Sequence, residues 1–187
     1  MFKNIIIKAI IPVERPSKIY YGLVQTREYG ELFLAYYLDN NLYRICSLQF
    51  VVNGEPVEKF TNELRKYWPQ TQCIQDNLLT SEIYAKYLTK HCEPQEVYIA
   101  LNGTVFQNKV WSALLGIPYG EERTYADIAA IIGNPKASRA VGSAVSANNI
   151  AMLVPCHRVR SKTGDTLKYR WGSELKKQIL LNEKMNF

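Results

Sequence analysis

The sequence predicts a two-part chain: an α/β N-terminal domain over residues 1–101 and a mainly α-helical C-terminal domain over residues 102–187. Three observations predict it. The first 50 residues hold short runs of β-branched and aromatic side chains, which suit a pleated sheet. Beyond Asn102-Gly103, apolar residues recur at helical spacing. The net charge of +6 is also confined to one part, since residues 1–100 carry 11 Lys+Arg against 11 Asp+Glu and residues 101–187 carry 12 against 6.

In the first part, Ile5-Ile6-Ile7 and Glu31 to Leu38 read as strands, and Asp39-Asn40-Asn41 reads as a turn into a strand over Leu42 to Cys46. Apolar residues at 57, 60, 64 and 67 predict a helix over Val57 to Tyr67, with a second helix near Ser81 to Leu88. Val97 to Leu101 reads as a last strand, ended by the turn signal Asn102-Gly103. In the second part, Phe106 to Leu115 has apolar residues at 106, 110, 111, 114 and 115 and is expected to stop at Gly116 and Pro118. Thr124-Tyr125-Ala126-Asp127 fits a capping box, opening a helix through Ile132 that Gly133 closes. Pro135 suits the first position of another helix, over Lys136 to about Ala147. Helix, short turn, helix is the outline of a helix-turn-helix, although most helix pairs joined this way are simply core.

Composition narrows the function class. With 47% hydrophobic and 21% charged residues, the chain is globular rather than disordered or collagenous. Lys8 breaks the longest N-terminal apolar stretch, so no membrane segment is expected and the protein reads as soluble and intracellular. Cys46, Cys73, Cys92 and Cys156 form no C-x-x-C pair. Zinc held by Cys46, Cys73 and the His91-Cys92 pair is an alternative, but the short ligand spacings of zinc sites are missing, so neither metal nor disulfide framework is expected.

Two segments carry candidate chemistry. Lys136-Ala-Ser-Arg-Ala-Val-Gly-Ser-Ala144 is a helix of small residues with two cations at its N-terminal end. A helix so thin brings its backbone close to a partner, and its positive end suits phosphate. A minor groove about 6 Å wide favours such a surface; close helix packing is the competing explanation. Leu153-Val-Pro-Cys-His-Arg-Val159 places a cysteine beside histidine and arginine, and that electropositive company is expected to lower the thiol pKa. Side chains of adjacent residues on a strand point to opposite faces, so His157 can assist Cys156 only through an irregular turn or a bridging water. An isolated Cys-His pair is more often structural.

The string Pro155-Cys156-His157-Arg158-Val159 resembles the active-site signature of the O6-alkylguanine-DNA alkyltransferases, or methylated-DNA–protein-cysteine methyltransferases. Gly103 to Gln107, Val110-Trp111, Ile117-Pro-Tyr-Gly120, Thr124-Tyr125, Pro135-Lys-Ala137, Arg139 to Gly142, Asn148, Tyr169-Arg-Trp-Gly172, Lys176 and Leu180-Leu-Asn-Glu183 follow in the family's order and spacing. The likeness is strong over residues 103–185 and loose before them, and its ending is similar to the alkyltransferase domain of the bacterial adaptive-response protein.

The resemblance implies a ribonuclease H-like N-terminal domain, a winged-helix C-terminal domain, and a monomer that repairs double-stranded DNA containing alkylated guanine, and alkylated thymine as well, without a cofactor. It implies that Cys156 accepts the alkyl group while His157, a water and Glu183 relay its proton. Tyr125 would hydrogen-bond the base and crowd its phosphate as the nucleotide turns out of the duplex. Asn148 would tie the turn after the small-residue helix to the active-site strand. Arg139 would fill the space left by the base, with Thr124, Lys136, Ala137, Ser138, Ala140 and Gly142 on the DNA surface. Val145, Val159, Tyr169, Arg170 and Trp171 would shape the pocket, which Lys168 and Trp171 are expected to narrow. A binding-only relative would lack Cys156. A cysteine hydrolase would need another downstream histidine, and the chain has only His91 and His157.

Overall fold

The computed structural model describes residues 5–89, 95–163 and 169–185, and these divide into two compact units with the boundary between Asn102 and Gly103. His91 and Cys92 lie outside the described residues. In the first unit the strands are β1 (Ile5–Ile10), β2 (Lys18–Thr26), β3 (Gly30–Asp39), β4 (Leu42–Phe50), β5 (Gln72–Gln75) and β6 (Gln95–Ala100), and the helices are α1 (Val57–Tyr67) and α2 (Asn77–Tyr87). One sheet contains all six strands in the order β1-β6-β4-β3-β2-β5. β2, β3 and β4 form an antiparallel meander, while β5 runs parallel to β2 and β6 runs parallel to both β4 and β1.

The Asn40-Asn41 turn works because both residues have positive φ, 49° and 62°. Asparagine tolerates that region, and two such residues make the hairpin turn that matches strand twist. Aromatic residues dominate the core on one sheet face. Phe33 stacks on Phe60 with ring centroids 5.0 Å apart, and Tyr37 meets Trp68 edge-on at 5.6 Å. Helix α2 starts four residues before the predicted Ser81, because the Asp76 side chain caps it by accepting from the Leu79 N–H at 3.0 Å. The strand reading passed over β2 and β5, although Ile19-Tyr20-Tyr21 carried the β-branched and aromatic signal for β2.

The second unit is mainly helical, with α3 (Val105–Leu115), α4 (Tyr125–Ile131), α5 (Ser138–Ser146) and α6 (Ser173–Met185). A two-residue parallel ladder joins β7 (Arg123–Thr124) to β8 (Val159–Arg160), tying the start of α4 to the chain that follows Cys156. Thr104 and Gln107 make a capping box for α3, and Thr124 and Asp127 make the predicted one for α4. Gly133, at φ +74°, ends α4 in the left-handed conformation that glycine adopts without penalty. Trp111 of α3 donates from Nε1 to the Ala144 carbonyl of α5 at 2.9 Å. Gly103 lies so close to the Trp111 ring that a Cβ there would stand 2.5 Å from it, so only glycine fits. The helix predicted from Lys136 begins instead at Ser138. Pro135 and Lys136 belong to the turn, which the Ala137 N–H closes onto the Asn134 carbonyl at 2.9 Å, and Ala137 is the N-cap.

Candidate active site and DNA-facing groove

Asn148 follows α5 and organises the turn that carries Cys156. Its Oδ1 accepts from the Ile150 N–H at 2.9 Å, and its Nδ2 donates to the Val154 carbonyl at 3.1 Å and to Cys156 Sγ at 3.1 Å. Met152, at φ 65°, lets the chain reverse inside this turn. Cys156, His157 and Arg158 form one short 3-10 turn, the irregular geometry that adjacent Cys and His need in order to act together. Cys156 is 3% exposed and lies in a cavity of about 10 Å³. Tyr125, Val145, Ser146, Val159, Tyr169, Arg170 and Lys176 complete its lining. Trp171 lies outside that lining and backs it, with its ring 5.3 Å from Tyr169 in edge contact and 5.3 Å from the Arg170 guanidinium. Lys168 lies outside the described residues.

The expected lowering of the Cys156 pKa is not what the structure produces. Burial pushes the thiol up, and hydrogen bonds from Asn148 and Tyr169 together with the Lys176 charge offset this only in part. The charge of neighbouring Arg158 is directed elsewhere, since its Nη2 pairs with Glu183 Oε1 at 2.8 Å. Tyr125 is half-buried, and burial followed by the Cys156 charge raises its hydroxyl.

His157 Nε2 lies 2.9 Å from Glu183 Oε1, and both residues are buried. Burial by itself would raise the Glu183 carboxyl, but hydrogen bonds from His157 and Arg158 and their charges outweigh it and hold it at about 2. With Glu183 ionised, the hydrogen of a neutral imidazole resides on Nε2. Burial lowers His157 below its ordinary value, against the pull of Glu183, so the ring is neutral and its Nδ1 holds a lone pair. That Nδ1 is buried and has no hydrogen-bond partner among the described residues.

A groove of about 980 Å³ runs beside the cavity, and Tyr125 and Ser146 line both. It is lined by α5, through Ser138, Arg139, Gly142, Ser143 and Ser146, by Ser161, Lys162 and Thr163, and by Thr124, Tyr125 and Ala126. Arg139 and Ala140 are exposed on α5, Lys136 is exposed in the preceding turn, and Ala137 is half-buried. A Cβ added at Gly142 would meet the Tyr125 ring at an ordinary 3.9 Å. Glycine inside a helix costs roughly 1 kcal/mol relative to alanine, and internal packing does not require it here. Lys176 and Ser146 had no role in the sequence reading, and Arg158 figured there only as a cation beside the thiol. Lys176 is 3% exposed, with Nζ on the Val159 carbonyl at 2.5 Å, and burial lowers its pKa. The sequence signals that could have found it are its spacing to Glu183, seven residues along one helix, and its place in the matched motif.

A buried thiol next in sequence to a buried imidazole, with a wide groove alongside, makes a candidate site for a group-acceptor protein with a large substrate. Comparison with known proteins agrees. Residues 105–185 match the family model for the DNA-binding domain of 6-O-methylguanine DNA methyltransferase. The inducible methylated-DNA–protein-cysteine methyltransferase of Bacillus subtilis is 38% identical over 159 residues, covering 81% of this chain and 88% of that protein. The bifunctional transcriptional activator/DNA repair enzyme Ada of Escherichia coli is 36% identical over 146 residues, covering 76% of this chain and 40% of that longer protein. The crystal structure of Mycobacterium tuberculosis OGT in complex with DNA superposes with a TM-score of 0.60 at 32% identity, covering 89% of this chain and 93% of that one. The chain belongs to the methylated-DNA–protein-cysteine methyltransferase family. Among the described residues, no helix is long and apolar enough to cross a membrane.

Proposed function

We propose that this protein repairs duplex DNA by moving the alkyl group of O6-alkylguanine, and of O4-alkylthymine, onto Cys156 in a single stoichiometric event. The observation that carries the reading is the buried Cys156 thiol beside a neutral His157 whose Nδ1 is unpartnered. A water between Sγ and Nδ1 would carry the thiol proton to that lone pair. The thiolate then attacks the alkyl carbon in line, the bond from that carbon to O6 breaks, and the electron pair leaves with the purine. Tyr125, which lines both groove and cavity, would donate its hydroxyl hydrogen bond to the departing base. A hydroxyl whose pKa is raised stays protonated and able to donate at neutral pH.

The cavity of about 10 Å³ has room for about one water. A base therefore enters only as Tyr169 and Arg170 give way, and it must first leave the duplex, because a stacked base cannot reach an enclosed thiol. Arg139, exposed on the groove wall, would occupy the space left behind, while the small residues of α5 allow close approach to a minor groove. In this reading α4 and α5 are a helix-turn-helix, the loop at 161–163 is its wing, and one chain acts as a monomer because every group required lies within residues 103–185. Residues 1–101 would form the ribonuclease H-like domain, on the basis of the antiparallel meander flanked by parallel strands. A thioether is not cleaved by water under mild conditions, so repair should stop after one turnover. Incubation with an oligonucleotide carrying O6-methylguanine should add the mass of one methyl group to the peptide containing Cys156, with a plateau at one equivalent. Repeated turnover, or lesion binding without mass gain, would contradict the proposal.

A further inference from the structure

A buried carboxylate whose oxygens are already saturated with donors has little capacity to take up a proton. Glu183 accepts from His157 Nε2 at 2.9 Å and from Arg158 Nε at 3.1 Å on both oxygens. It also accepts from Arg158 Nη2 at 2.8 Å and from the Gly120 N–H at 3.2 Å. Arg158 is fixed from its other side by the segment 117–120. Its Nη1 donates to the Ile117 carbonyl at 2.8 Å, and its guanidinium lies 5.2 Å from the centre of the Tyr119 ring. Gly120, at φ +77°, takes the left-handed conformation in which its N–H reaches Glu183. The segment thus grips the cation and the anion together.

We propose that Arg158 is a positioning residue of the transfer reaction: held by residues 117–120, it keeps Glu183 a fully satisfied anion, so that His157 rests as an empty base and retains the proton that leaves Cys156. The inference rests on the alkyl-transfer reading above. The S–H bond of Cys156 breaks, an N–H bond forms at His157 Nδ1, and the resulting imidazolium keeps its Nε2–H on Glu183. Without the guanidinium, Glu183 would pair with imidazolium alone and hold a proton on His157 before any substrate arrived. The base would then be occupied. Around the ring, burial and the Arg158 and Lys176 charges disfavour the imidazolium, and Glu183 favours it.

The chain has two histidines, so NMR titration of His157 in the full-length protein is clean, with a His91→Gln variant assigning the signals. Arg158→Gln should raise the His157 pKa by about one unit or more, a tenfold change in proton affinity. It should move the acid limb of the single-turnover rate profile upward by the same amount. Arg158→Lys, which keeps the charge without the fork, should return both to within about half a unit of the wild type. A folded Arg158→Gln protein whose His157 titration is unmoved, or which loses rate equally at every pH, would overturn the proposal. If Arg158→Gln does not fold, the wild-type protein still decides. The side-chain carboxyl of Glu183, followed by carbon NMR, should stay ionised well below pH 4, and titration in the ordinary glutamate range would overturn the proposal. Both NMR arms read without alkyl transfer, so failure of the transfer reaction is distinguishable from failure of this inference.

Discussion

Each unit buries a thiol, and the two environments differ in what surrounds the sulfur. Cys46, in β4, sits in the apolar cluster of Phe33, Phe60, Leu64 and Trp68; burial raises its pKa far, the Cys73 charge adds to the rise, and a backbone hydrogen bond opposes it weakly. Cys156 is as deeply buried, yet Asn148, Tyr169 and Lys176 oppose the desolvation. The difference extends to the surroundings. In the first unit the buried polar residues are Ser47, Gln49, Thr61 and Thr80, with Arg44 at the margin. The second unit buries His157, Arg158, Lys176 and Glu183 within 27 residues of sequence. Buried charges rarely add stability compared with apolar packing, and removing one partner is costly. Their concentration beside Cys156 therefore marks where the molecule gives up packing for chemistry.

The largest test exchanges the two thiols. Cys156→Ala should abolish methyl uptake from an O6-methylguanine oligonucleotide while the protein stays folded. Cys46→Ala should leave uptake at one equivalent and lower the urea unfolding free energy by about 1–2 kcal/mol through loss of buried volume. Uptake surviving in Cys156→Ala would erase the distinction between the two sites.

Next in size is a pair of asparagines. Asn148→Ala strands the buried N–H of Ile150 and removes one of the two donors to the Val154 carbonyl, which keeps the Cys156 N–H at 2.7 Å, and leaving a buried donor unsatisfied costs about 1–3 kcal/mol. We expect a loss of about 3 kcal/mol in urea unfolding and a transfer rate lowered more than tenfold. Asn77→Ala, which removes an exposed acceptor for the Leu23 N–H, should cost about 1 kcal/mol and leave the rate unchanged. Equal costs would mean that the turn before Cys156 does not depend on Asn148.

Acid should separate the units as well. His157 is depressed from an ordinary 6.5, so its contribution is present above that value and is lost as pH falls through it. Glu183 is depressed from an ordinary 4.5 to about 2, so its contribution is present above 4.5 and is lost toward 2. Peptide-resolved hydrogen exchange of the full chain between pH 7 and 3, corrected for intrinsic rates, should show residues 103–163 and 169–185 losing protection before β2, β3 and β4. The reverse order would place the acid-sensitive packing elsewhere.

The smallest expected effect concerns surface arginines. Arg139→Ala should weaken duplex binding about tenfold and reduce the slope of log affinity against log salt by about 1, while Arg27→Ala, exposed at the β2–β3 turn, should change neither. Equal effects would mean that DNA does not lie in the groove beside α5.

What was legible in the sequence was local. Asn40-Asn41, the Thr124–Asp127 capping box and Gly133 act within about four residues through backbone geometry, so residue type alone announces them. The start of α5 was misread because proline is compatible with both a first helical position and the turn that Pro135 in fact occupies. The family resemblance named Tyr125, Val145, Val159, Tyr169 and Arg170, and the structure brings all of them around Cys156, while Trp171 stands behind them.

The sequence by itself determined the two-part division of pattern and charge, the helix boundaries signalled by caps and glycines, and the presence of a cysteine in a recognisable motif. Only the tertiary structure decided how that cysteine ionises and which groups share its surroundings. Arg158 stands two positions from Cys156, which suggested a cation lowering the thiol pKa, but its side chain turns to Glu183, 25 residues onward. Lys176, 20 positions away, is the cation whose charge reaches the sulfur. Capping and turn formation depend on bonds between near neighbours along the chain. Desolvation and Coulomb interactions depend on distance through space and on burial, and both are fixed only when α6 packs against the turn at Cys156.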